Sequence, residues 1–245
     1  AEDMASVEAV VDSFQPAAIV NCVGVVKQLD AGKDPLTCIS INSLFPHQLA
    51  DLCNRKGIHL ICISTDCVFS GQRGGYAETD VSDAADLYGR TKFLGEVDRE
   101  GSLTLRTSII GREFAGAHGL VEWFLSQEGK SIRGFSKAIF SGVTTRVLAD
   151  TIRQLICQHP RLHGVYHVAA RPIAKYDLLT LVRDVYDLDI TIETDDTFAC
   201  DRSLDGSKFE SASGITIPSW QEMIQGMHDD PTPYDEIRAK LAQGH

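Results

Sequence analysis

Tyr88 and Lys92 stand four residues apart in Leu87-Tyr-Gly-Arg-Thr-Lys92, so on a helix a phenol and an ammonium share one face. That pairing suits proton transfer. A cation held beside the phenol favours the phenolate and draws its pKa down toward neutrality, giving a donor and acceptor that works nearer pH 7. Upstream, Ser64-Thr65-Asp66 ends the apolar run Leu60-Ile61-Cys62-Ile63. Small polar residues in that place are what an open α/β sheet presents to a ligand at the carboxyl ends of its strands. Taken alone, Tyr-x-x-x-Lys also describes a surface tyrosine and a solvated lysine. The order strand, Ser-Thr-Asp, a loop with Gly71, Gly74 and Gly75, Tyr-x-x-x-Lys, then Gly95-Glu96 is far more specific.

The elements that must position these groups follow from the hydrophobic spacing. Residues 4–14 carry a helical pattern broken by Gln15-Pro16, and 17–23 read as a buried strand ending at Asn21-Cys22-Val23-Gly24. A loop leads to a helix over 35–56 with Gly57 as its C-cap; Asn42 lies within it. A further buried strand, Leu103–Arg106, is followed by an amphipathic helix over 146–158, a strand over 165–170 and a helix over 175–186. Ser219 or Pro218 starts a late helix, and the polar tail from Asp229 holds two prolines and a weak helical stretch, expected to be mobile. Strands alternating with helices imply an α/β protein.

Composition narrows the partners. The 245 residues carry 23 basic and 34 acidic side chains, a net charge of −11, which argues against a nucleic-acid surface or an anionic membrane. Seven cysteines form no Cys-x-x-Cys pair, and Cys22 and Cys62 fall inside apolar strand patterns, as small core residues of a reduced, cytoplasmic protein would. No apolar run reaches the length of a membrane span. His159, His163 and His167 recur every four residues, but a proline and a glycine turn interrupt them, so no metal site is expected.

The stretch from Ile58 to Glu96 resembles the extended short-chain dehydrogenase/reductases, and among them the dTDP-4-dehydrorhamnose reductase family, whose pattern runs close to STDYVFDG, then YG, K and GE. The resemblance implies a Rossmann-like, doubly wound parallel sheet with a smaller C-terminal substrate lobe. It divides the chain into a partial NAD(P)-binding domain over 1–115 and a lobe over 116–245, with 146–170 returning to the Rossmann core. It further implies an NADP- or NAD-dependent reductase of a nucleotide-linked 4-keto-6-deoxysugar, serving deoxysugar and cell-surface polysaccharide synthesis, and a homodimer. Carried onto this sequence, the catalytic residues are Thr65, Tyr88 and Lys92. Asn21, Val23, Gly24, Val25 and Ser64 line the cofactor groove with Tyr88 and Lys92, while Thr65, Asp66 and Arg202 meet the substrate, Arg202 through a diphosphate. The family's asparagine on the preceding helix corresponds to Asn42.

Three positions depart from the family pattern: Cys67 stands where tyrosine is common, Ile109 where an aromatic residue is usual, and Ala84-Ala85-Asp86 lacks the proline before the Tyr-Gly pair. The glycine-rich phosphate-binding turn is also missing. In the family roughly fifty to sixty residues holding that turn would precede Ala1. The sequence is therefore expected to be a fragment with an incomplete sheet and weak affinity for NAD(P)H. Two other readings stay open: a sugar-nucleotide epimerase or dehydratase of the same superfamily, and a non-catalytic homologue like the regulatory subunit of methionine adenosyltransferase.

Overall fold

A computed structural model describes residues 3–26, 30–116 and 119–243. The chain opens with helix α1 (Met4–Phe14), capped by the Asp3 carboxylate and ended by Gln15 at φ 48°. Strand β1 (Ala18–Asn21) follows. The expected helix over 35–56 is present in three parts: α2 (Pro35–Cys38), a π-helical turn (Ile39–Leu44) and α3 (Phe45–Lys56), with Gly57 at φ 67° as C-cap. A π turn widens the helix by one residue per turn and redirects the side chains on it. Here it turns Asn42 inward, where it is 1% exposed.

Next come β2 (His59–Thr65), α4 (Leu87–Leu94) and β3 (Ser102–Thr107). After them run the short strand β4 (Ile109–Ile110), α5 (Leu120–Leu125), β5 (Ser131–Phe140), β6 (Val143–Thr144) and α6 (Thr145–Gln158). The chain continues through β7 (Gly164–His167), β8 (Ile173–Ala174), α7 (Lys175–Tyr186) and β9 (Thr191–Asp201). It finishes with α8 (Ser207–Ser213), α9 (Trp220–His228) and α10 (Tyr234–Gln243).

The main sheet runs β1-β2-β3-β7, every neighbour parallel. Its two central strands are buried on both faces, which is why their sequences are apolar rather than alternating. Successive residues of β2 face opposite layers: Leu60 and Cys62 pack with α1 and α3, Ile61 with the cluster that holds Leu148 and Leu155 of α6. Helices thus cover both faces, the arrangement expected of a doubly wound sheet. A second sheet, β8-β5-β9, and the two-stranded β4-β6 pair are built from the later chain.

Two expectations are corrected. The first strand stops at Asn21 rather than at Val23, so Cys22 is exposed instead of packed in the core. The tail from Asp229 is docked: α10 reaches back through Arg238, whose Nε and Nη2 donate to the Glu113 carbonyl at 2.8 and 2.6 Å. The pattern of α10 is weakly amphipathic because charge and ring contacts, not an apolar stripe, hold it.

Candidate active site

At the carboxyl ends of β1, β2 and β3 lies a cleft of about 600 Å³. Its walls include Cys22, Val23 and Gly24 after β1, Ser64 to Cys67 after β2, and Tyr88 and Lys92 on α4. Thr107 to Ile109 and the α6 residues Thr145, Leu148, Ala149 and Ile152 close the remaining sides. The topology explains this convergence, since parallel strands deliver all their outgoing loops to one end of the sheet.

Asp86 caps α4, accepting from the Gly89 amide at 2.7 Å, and so fixes where the helix bearing Tyr88 begins. Gly89 packs against the backbone after β2; a Cβ there would overlap the Cys67 carbonyl. Those two contacts set Tyr88 against Thr65, and the Thr65 hydroxyl hydrogen-bonds the phenol. Thr65 also accepts from the Cys67 amide at 3.1 Å, which holds its side chain at the strand end. Lys92 lies one turn beyond Tyr88 and donates to the Ile63 carbonyl at 2.7 Å.

The expected lowering of the Tyr88 pKa is not found. Burial pushes the phenol up to about 12, with the Cys67, Asp66 and Asp86 side chains adding to it and the Thr65 hydrogen bond opposing. The Lys92 ammonium directs one N–H to a carbonyl rather than to the phenol, and burial lowers its own pKa against the pull of Cys62, Glu96 and Cys22. At neutral pH Tyr88 therefore carries its proton.

Behind α4 the Gly95-Glu96 pair has a structural explanation. A Cβ on Gly95 would overlap the Asn42 carbonyl, so glycine lets the end of α4 meet the π turn. Glu96 accepts from Ser64 Oγ at 2.6 Å and from Arg106 Nε and Nη2 at 2.8 and 2.7 Å. Arg106 Nη1 in turn donates to His167 Nε2 at 3.2 Å, and the opposite ring nitrogen donates to the Tyr76 carbonyl at 3.0 Å. Asn42 clasps the other side of the cleft: its amide spans the Val25 N–H at 2.8 Å and carbonyl at 3.0 Å, and reaches Thr91 at 3.3 Å.

Of the residues proposed from sequence, Thr65, Asp66, Tyr88, Lys92, Ser64, Val23 and Gly24 meet in this one cleft. Ser64 turns its hydroxyl to Glu96. Asn21 and Val25 are buried and do not line it: Asn21 Oδ1 accepts from the Val23 amide at 3.1 Å and shapes the turn, while the Val25 backbone is held by Asn42. Arg202 lies outside the lining, with Nε donating to the Phe69 carbonyl at 2.8 Å and Nη1 3.9 Å from Cys67 Sγ. The α6 wall and the Glu96–Arg106–His167 chain escaped the sequence reading. The signal for the second was present, because a charge inside the otherwise buried strand Leu103–Arg106 requires a partner.

The residues present fit the nicotinamide half of a dinucleotide. Val23 and Val26 offer exposed apolar surface to a flat ring. Gly24 brings bare backbone beside Lys92, where a Cβ would lie 3.9 Å from Nζ. Among the described residues no group of His, Cys, Asp or Glu could hold a metal ion, and no helix is long and apolar enough to cross a membrane.

The model of the RmlD substrate-binding domain matches residues 1–232. The chain belongs to this family. A dTDP-4-keto-6-deoxy-D-glucose reductase of Streptomyces niveus is 39% identical over 95 residues, 38% of this chain and 33% of that protein. The β subunit of methionine adenosyltransferase 2 from Xenopus laevis is 27% identical over 209 residues, 76% of this chain and 59% of that one. The chain thus spans between a third and three fifths of the length of these relatives. Among solved structures, the dTDP-4-dehydrorhamnose reductase of Bacillus anthracis, in complex with NADP, superposes with a TM-score of 0.80 at 23% identity, over 92% of this chain and 84% of that one. At that identity the likeness establishes the fold, a Rossmann-like sheet.

Proposed function

We propose that this RmlD-family site reduces the keto group of a nucleotide-linked 4-keto-6-deoxysugar with NADPH or NADH. The reading rests above all on the Thr65–Tyr88 hydrogen bond, formed in a cleft that also holds Lys92. It is supported by the names of relatives that act on such sugars and by a neighbour of the same fold that binds NADP.

When bound, the reduced nicotinamide supplies hydride to the carbonyl carbon. Tyr88 Oη gives its proton to the carbonyl oxygen, and its raised pKa keeps that proton in place at neutral pH until negative charge develops on the oxygen. Thr65 Oγ1 hydrogen-bonds the same oxygen and fixes its direction. Both bonds strengthen as the oxygen becomes anionic, so they stabilise the transition state more than the bound ketone. Lys92, held at the Ile63 carbonyl, stands ready for the nicotinamide ribose hydroxyls, and Val23, Gly24 and Val26 back the ring. Asp66 faces the sugar from the end of β2.

Steady-state assays of the full-length protein with a nucleotide-linked 4-keto-6-deoxysugar test the reading, following the loss of reduced-nicotinamide absorbance. Product without net absorbance change would make it an epimerase. The likeness to the methionine adenosyltransferase subunit favours one other reading, a cofactor-binding regulatory subunit, which predicts bound nucleotide and no turnover.

A further inference from the structure

The segment that walls the cleft at Ile109 does not end there. It continues through Gly111, Arg112 and Glu113 to α5, and it is fastened at both ends. At the near end a Cβ on Gly111 would overlap Thr145 Oγ1, so the backbone lies directly on the first turn of α6, whose Thr145 also lines the cleft. At the far end Glu122, 6% exposed on α5, accepts from Arg112 Nε at 2.6 Å and from the Glu113 amide at 3.0 Å. The C-terminal helix then closes over this junction. Arg238 holds the Glu113 carbonyl with two nitrogens, at 2.8 and 2.6 Å, and pairs with the Glu122 carboxylate. The Tyr234 ring stacks on Phe114 at 5.3 Å and lies under the Arg112 guanidinium at 4.8 Å.

We propose that Arg238 is a positioning residue for the substrate-side wall of the cleft, acting through Glu113 and Glu122 to hold the segment from Ile109 to Glu113 in register with α6. That the wall faces substrate rests on the reductase reading above. The physical case for the clasp does not. The guanidinium holds the Glu113 carbonyl with two nitrogens of one rigid plane while also meeting the Glu122 carboxylate, a fixed geometry that a single-nitrogen ammonium reproduces only in part. One buried carboxylate collects both arginines, so loss of Arg238 leaves Glu122 with a single cation and frees the Glu113 carbonyl. The segment keeps its attachment at Thr145 and loosens at the other end, which misplaces Ile109 against a bound sugar without touching Thr65, Tyr88 or Lys92.

The test combines kinetics and amide hydrogen exchange on the full-length protein. Arg238→Ala should raise KM for the nucleotide-linked sugar about tenfold, the scale of one lost charge-assisted contact. Its kcat and its KM for the reduced nicotinamide should stay within about twofold of the parent. Amides of residues 109–122 should exchange at least about tenfold faster while those of β2 and β3 stay protected. Arg238→Lys should recover part of the KM effect, and Lys240→Ala, an exposed change on the same helix, should alter nothing. Unchanged exchange over 109–122 overturns the clasp. Faster exchange with an unchanged KM, or a fall in kcat alone, overturns its role toward substrate. If the parent reduces no such sugar, the reductase reading fails, and exchange over 109–122 still decides whether Arg238 holds the segment.

Discussion

Glu96 and Arg106 form a two-pronged ion pair whose side chains are 5% and 4% exposed, and the same carboxylate takes the Ser64 hydroxyl at 2.6 Å. The Gly-Glu pair after the Tyr-x-x-x-Lys helix therefore ties α4 to β2 and β3. Glu96→Ala should destabilise the fold by about 3 to 5 kcal/mol, because it leaves the Arg106 guanidinium buried without its partner. Urea unfolding measures this, and a loss under about 1 kcal/mol would mean that water or a second acceptor reaches Arg106.

Tyr88→Phe should lower kcat by at least about two orders of magnitude with little change in cofactor affinity, as expected for loss of a positioned general acid. Thr65→Val should act on the same rate constant but less, since it removes one hydrogen bond and leaves the proton donor. Lys92→Ala should weaken cofactor binding as well as rate. Turnover of Tyr88→Phe at the parental rate would place the proton donor elsewhere.

Asn42→Ala removes the amide that pairs with both backbone groups of Val25 and leaves them buried. A cost of roughly 2 to 4 kcal/mol follows from two orphaned groups. Cofactor affinity should fall too, because Val23 and Gly24 lie in the loop that Asn42 anchors. Calorimetric titration of the full-length variant separates the effects: a loss of stability with unaltered affinity would show that the loop keeps its shape without Asn42.

Burial, and after it the charge of Arg106, holds His167 down at about 4. An unfolded histidine titrates near 6.5, so on acidification the unfolded chain takes up this proton before the folded one. The stability contributed by the neutral ring is complete above about pH 6.5 and is lost as pH falls toward 4, by about 3 kcal/mol in all. The imidazole resonances should report a midpoint near 4. A midpoint near 6.5 would mean that the ring is not buried against Arg106 as described.

The parallel strands and the Tyr-Lys helix were legible in the sequence because local pattern decides them. Leu60 to Ile63 is apolar on both faces, as a central strand must be, and Tyr88 and Lys92 share a face wherever that segment is helical. Asn42 was noticeable only through a resemblance; the π turn that sends it inward packs against Thr91 and Gly95, forty-nine and fifty-three residues further along the chain. Electrostatics was decided by tertiary structure alone. The spacing of Tyr88 and Lys92 suggested a lowered phenol pKa, yet the fold half-buries Tyr88 beside Cys67, Asp66 and Asp86 and turns Lys92 to the Ile63 carbonyl. The docking of α10 was equally invisible, since its grip is a guanidinium meeting a carbonyl and a carboxylate from residues 113 and 122. Hydrophobic periodicity is written residue by residue along the chain, whereas a charge takes its meaning from neighbours that only folding brings near.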